Sequence, residues 1–198
     1  MGALHPNFIV GIGGSAGSLD PLKALMDVMP STLGMAYVIV PHLMPSANTQ
    51  LVQILSRHTK MPVFLVDAEG GRGMPIRANH VYVIAPNTDL LIEGDAFKVV
   101  FPRSGRNRQV DIFFASLAQA MGTRAVGVIL SGYHADGAEG CKKIRAKGGT
   151  CFAQDSSAEA SGMPLSAQAT GCVDFVLAPE KIPDELKKLA RTAKNRGL

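Results

Sequence analysis

Short apolar runs, several rich in β-branched residues, alternate along the chain with stretches whose apolar positions recur every three or four residues. Within Asn7 to Ile12, Phe8-Ile9-Val10 has the look of a buried strand and enters a glycine-rich turn. A helix then starts near Ser18, with Pro21 in its first turn and Leu22, Leu25, Met26 and Met29 at helical spacing. The unit repeats. Ala36 to Val40 predicts a strand, Pro41 to Pro45 a turn, and Ser46 an N-cap for a helix carrying Leu51, Ile54, Leu55 and, one turn on, His58.

From Val63 to Phe101 the pattern shifts to short strands, Val81 to Ile84, Leu90 to Ile92 and Phe97 to Val100. Glu93-Gly94-Asp95 reads as a hairpin turn, so an antiparallel insertion is expected here. Helical spacing returns at Val110, Phe113, Phe114, Leu117 and Met121. The strand Ala125 to Leu130 follows, then a polar turn from Ser131 to Gly137. Thr150 to Gln154 and Val173 to Leu177 supply two further strands, and Pro183 opens a charged last helix. This alternation predicts an α/β, doubly wound, mostly parallel sheet with helices on both faces and an antiparallel hairpin insertion. Sites in such sheets form at the carboxyl ends of the strands, where Ser15, His42 and Asp136 all fall.

The chain has 198 residues, 46% of them apolar, enough for one sizeable core in a single domain. No apolar run reaches the 18 or so residues of a membrane span, and Met1 to Pro6 lacks the basic and apolar regions of a secretion signal, so a cytoplasmic location is expected. Cys141, Cys151 and Cys172 are odd in number and show no C-x-x-C spacing, which favours reduced thiols over disulfides or zinc. The net charge of +4 comes from scattered Lys and Arg, apart from Arg103, Arg106 and Arg108 and the C-terminal tail. That is thin support for nucleic acid: the two clusters read first as a solvated loop and a soluble last helix, with an attraction to acidic protein surfaces as the alternative.

Two motifs compete for the first turn. Gly11-Ile12-Gly13-Gly14-Ser15-Ala16 fits the dinucleotide fingerprint G-x-G-x-x-[GA], but that reading needs a carboxylate at the end of the second strand, where the chain has Val40-Pro41-His42. Shifted by two, Gly13-Gly14-Ser15-Ala16-Gly17 is G-x-S-x-G, a sharp strand-to-helix turn that exposes a serine beside backbone N–H groups. A serine hydroxyl becomes a useful nucleophile only when an imidazole takes its proton and a carboxylate fixes that imidazole's tautomer. His42 adjoins Ser15 if the first two strands pair, and Asp136 closes a later strand. Asp155 is the second candidate for the acid, and Asp20 reads as a first-turn helix residue. Among the other histidines, His58 and His80 occupy a helix and a strand, while His134 lies two residues from Asp136.

Phe8 to Gly17, Val40-Pro41-His42-Leu43, Val126 to Gly132 running into Asp136-Gly137-Ala138-Glu139-Gly140, and Gly162-Met163-Pro164 together resemble the catalytic domain of CheB-type chemotaxis protein-glutamate methylesterases, from about Phe8 to about Leu186. The resemblance implies Ser15 as nucleophile, His42 as general base and then acid, and Asp136 as the residue orienting His42. It implies a hydrolase acting on glutamate methyl esters of chemoreceptor cytoplasmic helices, with methanol released, glutamine deamidation in some members, and no cofactor or metal. Family members often carry a receiver domain, and the sequence also resembles domains fused to methyltransferases in larger sensory proteins. Any such partner domain would lie outside these residues. In the third motif, His134 stands where the family has glycine. A positive φ there would strain a histidine, and Tyr133 would narrow the substrate groove. The alternative reading is therefore a catalytically weakened receptor-binding or regulatory module.

Overall fold

The computed structural model describes residues 5–47, 50–70 and 73–195. The first apolar run forms β1 (Phe8–Gly14), which is buried along its whole length. It is followed by α1 (Leu19–Asp27), β2 (Met35–Pro41) and a five-residue α2 (Leu51–Leu55). Then come β3 (Val63–Val66), β4 (His80–Ile84), β5 (Asp89–Glu93), β6 (Ala96–Val100) and α3 (Gln109–Met121). The chain continues through β7 (Ala125–Ile129), α4 (Ala138–Ala146), β8 (Thr150–Gln154), α5 (Gly162–Ala169), β9 (Phe175–Leu177) and α6 (Ile182–Asn195).

Seven strands make one parallel sheet in the order β3-β4-β2-β1-β7-β8-β9, and β5 and β6 form a separate antiparallel pair. Helices cover both faces, which is why central strands read as unbroken apolar runs rather than alternating ones. Alternation survives in the packing: Phe8, Val10 and Ile12 of β1 join Leu22, Leu25 and Leu186 in one core layer, while Ile9 joins Phe113, Phe114 and Leu117 of α3 in the other. The doubly wound architecture with a hairpin insertion is as the pattern predicts.

Three local expectations need correction. Val81 to Ile84 is no part of the antiparallel insertion: it is β4, parallel to both β2 and β3, and Val63–Val66 is a strand the pattern gave no reason to separate. Residues on β3 and β4 sit between a short helix and the hairpin, so length alone could not tell a sheet strand from a hairpin strand. Ser46 does not cap α2, which begins at Leu51 behind Gln50. His58 lies beyond the end of α2 and pairs with Asp27 at 2.8 Å. Among the described residues no helix is long and apolar enough to cross a membrane.

The order of connections decides where a site can form. From β1 the chain winds outward through β2 on one side and later returns to β7 on the other, so β1 lies at the switch point of the sheet. The loops leaving β1, β2 and β7 diverge there and leave a crevice at the strands' carboxyl ends.

Candidate active site

Ser15 leaves β1 one residue after Gly14. Its N–H donates to the carbonyl of Ser131 at 2.8 Å, so the loop after β1 is tied to the loop after β7. Its carbonyl accepts from the Ser18 hydroxyl at 2.6 Å and the Ser18 N–H at 3.1 Å, turning the chain into α1. The next carbonyl, Ala16, accepts from the Ser131 hydroxyl at 2.7 Å. In a trans peptide C=O and N–H point in opposite directions. The two hydroxyls that hold these carbonyls therefore fix the directions of the Ala16 and Gly17 N–H groups, which have no acceptor among the described residues. Gly17 takes φ +70°, a conformation side chains rarely adopt, and a Cβ on it would lie 2.8 Å from both Glu159 and Ser131.

His42 follows β2 directly. Gly14 pairs with Pro41, and the His42 N–H donates to the Gly14 carbonyl at 3.1 Å, so His42 leaves the sheet beside Ser15. Its Nε2 lies 2.6 Å from Oδ2 of Asp136, with the two side chains 7% and 0% exposed. Asp136 is an acceptor, so the neutral ring donates from Nε2 and carries its lone pair on Nδ1. That Nδ1 is buried and has no partner among the described residues. Ser15, His42, Leu43, Gly17, Leu51 and Glu159 are among the residues lining one cleft of about 320 Å³.

Asp136 is held from a direction the sequence did not suggest. Its Oδ2 also accepts the Val110 N–H at 3.0 Å and its Oδ1 the Asp111 N–H at 2.9 Å, both at the start of α3. Neither α3 nor α4 has a side-chain cap from its own N-cap residue, Arg108 or Gly137. Asp136 serves α3, and Asp111 in turn serves α4, its Oδ1 accepting from Gly137 at 2.9 Å and Gly140 at 2.7 Å. Burial pushes the Asp111 carboxyl up, the Gly140 N–H draws it down, and the charge of Asp136 pushes it up again.

The remaining sequence candidates fall elsewhere. Asp155 accepts from the Ser157 N–H of its own turn at 3.0 Å; the Ser157 side chain first, and then that N–H, hold its carboxyl low, and Asp20 pairs with Lys23 in the first turn of α1. His80 stacks on Phe64 and Tyr82, with ring centres 5.7 and 6.2 Å away. Tyr133 and His134 are exposed, and the non-glycine residues with positive φ among those described are Asn79, Asn87 and Asn107. His134 therefore fits its loop without the strain anticipated for it. In the same loop Gly132 does need to be glycine: a Cβ there would lie 2.2 Å from Met163 Sδ and 3.0 Å from Ser15 Cβ.

Arg103 donates to the Leu43 carbonyl at 3.1 Å, bracing the loop that carries His42. The cysteines are free thiols, with Cys141 and Cys151 buried. Among the described residues no group of three or more His, Cys, Asp or Glu side chains is arranged to hold a metal ion. Ser131 and Asp111 were not singled out in the sequence because their roles depend on which loops meet.

The family model for CheB methylesterase matches residues 10–186. A putative protein-glutamate methylesterase/protein-glutamine glutaminase of Leptospira interrogans is 33% identical over 177 residues, covering 87% of this chain and 90% of that one. A protein-glutamate methylesterase/protein-glutamine glutaminase of Burkholderia thailandensis is 36% identical over 200 residues, 99% of this chain but 57% of that one. The crystal structure of the Thermotoga maritima CheB methylesterase catalytic domain superposes with a TM-score of 0.79 at 27% identity, over 92% of this chain and 98% of that one. A match of the family model across most of the chain, agreeing with relatives and fold, shows that the chain belongs to the CheB methylesterase family of hydrolases.

Proposed function

We propose that the chain hydrolyses glutamate methyl esters on chemoreceptor helices with a Ser15-His42-Asp136 triad. The observation that carries this reading is the His42 ring itself: one nitrogen is bound to a buried carboxylate at 2.6 Å, and the other is buried without a hydrogen-bond partner among the described residues, in a residue that lines the same cleft as Ser15.

In this mechanism Nδ1 of His42 takes the Ser15 hydroxyl proton as Oγ attacks the ester carbonyl. The imidazolium is stabilised by Asp136, whose carboxylate accepts two backbone N–H groups as well as the ring. The carbonyl oxygen becomes an oxyanion, and the Ala16 and Gly17 N–H groups are the available donors beside it; the Ser15 N–H is already committed to Ser131. His42 then returns the proton to the departing methoxide, which leaves as methanol. Water, deprotonated by the same nitrogen, releases the acyl group as a glutamate carboxylate and restores the serine. A glutamine side chain in the same place would release ammonia, in keeping with the double names of the relatives.

The nitrogen assignment differs from the chymotrypsin-type arrangement, in which Nδ1 faces the carboxylate and Nε2 the serine. Only the geometry matters to the chemistry: one nitrogen must donate to the acid while the other faces the nucleophile. The unstrained, exposed position of His134 supports an active site over a weakened regulatory module. Methanol release from methylated receptor is the test. It is expected to vanish in Ser15→Ala and to fall by roughly 10²–10⁴-fold in His42→Ala, the usual contribution of a general base. Undiminished release from Ser15→Ala would overturn the proposal.

A further inference from the structure

Asp111 and Asp136 stand in a crossed arrangement that neither helix dictates alone. Asp136 precedes α4 and accepts the N–H groups of Val110 and Asp111 at the start of α3; Asp111 lies in the first turn of α3 and accepts those of Gly137 and Gly140 at the start of α4. Gly137 directly follows Asp136, so Asp111 grips the peptide next to the residue that orients His42. The two helices come close enough for this because Gly140 has no side chain: a Cβ there would lie 2.5 Å from Phe114 Cβ. Gly137 itself takes φ +97°. The loop turns sharply between Asp136 and α4, and without an outside acceptor its first N–H groups would be unsatisfied.

We propose that Asp111 is a positioning residue for the esterase reaction: it fixes the Asp136 loop through Gly137 and Gly140, and its negative charge adds to that of Asp136 behind His42. This inference rests on the triad reading above and extends it to a fourth side chain. A carboxylate that only capped α4 would act on stability. One whose charge is also felt by Asp136, the carboxylate bound to His42, acts on the proton affinity of the ring, because each nearby negative charge favours the imidazolium.

The charged and titratable groups around this cluster come from every packed segment. Asp136 and Glu139 lie in or beside the α4 entrance, and Lys142 follows on α4, paired with Glu139 at 2.6 Å. Arg108 precedes α3, Arg103 braces Leu43, and Asp20 and Glu159 line the same cleft as His42. Of these, Asp136 and Glu139 are the groups whose charges raise Asp111.

Two substitutions separate the structural and electrostatic parts. Both hydrogen bonds that the Asp111 side chain accepts go to Oδ1, so Asp111→Asn keeps the acceptor and removes the charge, whereas Asp111→Ala removes both. In Asp111→Ala, kcat for methanol release is expected to fall by on the order of tenfold or more with KM changed less than about twofold, the mark of misplaced machinery rather than lost binding. In Asp111→Asn, kcat on the pH plateau is expected to stay within about threefold, while the acid limb of the profile moves down.

The same shift is read without turnover from the NMR titration of the His42 ring in the full chain, whose midpoint is expected to move down in Asp111→Asn. A midpoint and acid limb that stay in place in Asp111→Asn would overturn the electrostatic role, and parent-like kcat in folded Asp111→Ala would overturn the positioning role. Ser15→Ala, run in parallel, isolates the fate of the triad reading: methanol release that survives it condemns the triad, while the His42 titration still judges Asp111.

Discussion

His42 donates its backbone N–H to the carbonyl of Gly14, the residue just before Ser15, at 3.1 Å. This bond continues the parallel ladder of β1 and β2 one step past its last paired residues, so the two chains stay in register as they leave the sheet. Strand pairing thus places His42 and Ser15, the proposed base and nucleophile, and only Asp136, the proposed acid, is brought from a distant part of the chain.

That dependence makes Asp136 the most sensitive member to a conservative change. Asp136→Asn offers one acceptor oxygen where the carboxylate serves His42, Val110 and Asp111 with two, and its NH₂ group would face a donor. Whichever way the amide turns, either the ring or the start of α3 loses its acceptor. We expect kcat to fall by about 10⁴-fold, as when a triad carboxylate is neutralised and the imidazole tautomer is lost. Methanol release from the purified variant measures it, and a loss below tenfold would contradict the role given to Asp136.

Gly132→Ala tests the meeting of three loops. The added Cβ would lie 2.2 Å from Met163 Sδ and 3.0 Å from Ser15 Cβ. Met163 is fully buried and donates its N–H to the Gly132 carbonyl at 2.7 Å, so it has little room to retreat. Overpacking of this kind costs about 1–3 kcal/mol, and displacement of Ser15 by a fraction of an ångström is expected to lower kcat on the order of 10²-fold. Thermal unfolding and turnover measured together should show activity lost well below the melting transition.

His134→Gly is expected to leave kcat/KM within about twofold of the parent, since the histidine is exposed and its backbone is unstrained. A large gain in turnover would instead mean that the bulky side chain restrains the loop carrying Asp136.

Tyr37 offers a stability prediction away from the site. Its side chain is fully buried on β2, its hydroxyl has no partner among the described residues, and burial pushes that hydroxyl's ionisation far up. An unsatisfied buried hydroxyl costs about 1–3 kcal/mol. Tyr37→Phe should therefore raise the melting temperature by a few degrees, about 2–4 °C per kcal/mol for a chain of this length. Calorimetry showing a lower melting temperature would point to a hydrogen bond that Phe cannot replace.

The sequence by itself determined the central strands of the sheet and the loops that carry the candidate residues. Fully buried parallel strands leave a local record, unbroken apolar runs closed by glycine or proline, and β1, β2, β7 and β8 were legible for that reason. Ser15, His42 and Asp136 were legible as candidates because each lies in a loop that follows such a run. Tertiary structure alone decided that β4 joins the parallel sheet, that the His42 ring turns Nε2 to Asp136, and that Asp136 and Asp111 each cap the other's helix. Those facts concern partners 25 to 94 residues apart in the chain. A hydrogen bond across such a distance is set by how helices pack, and nothing in the local pattern of either partner records it.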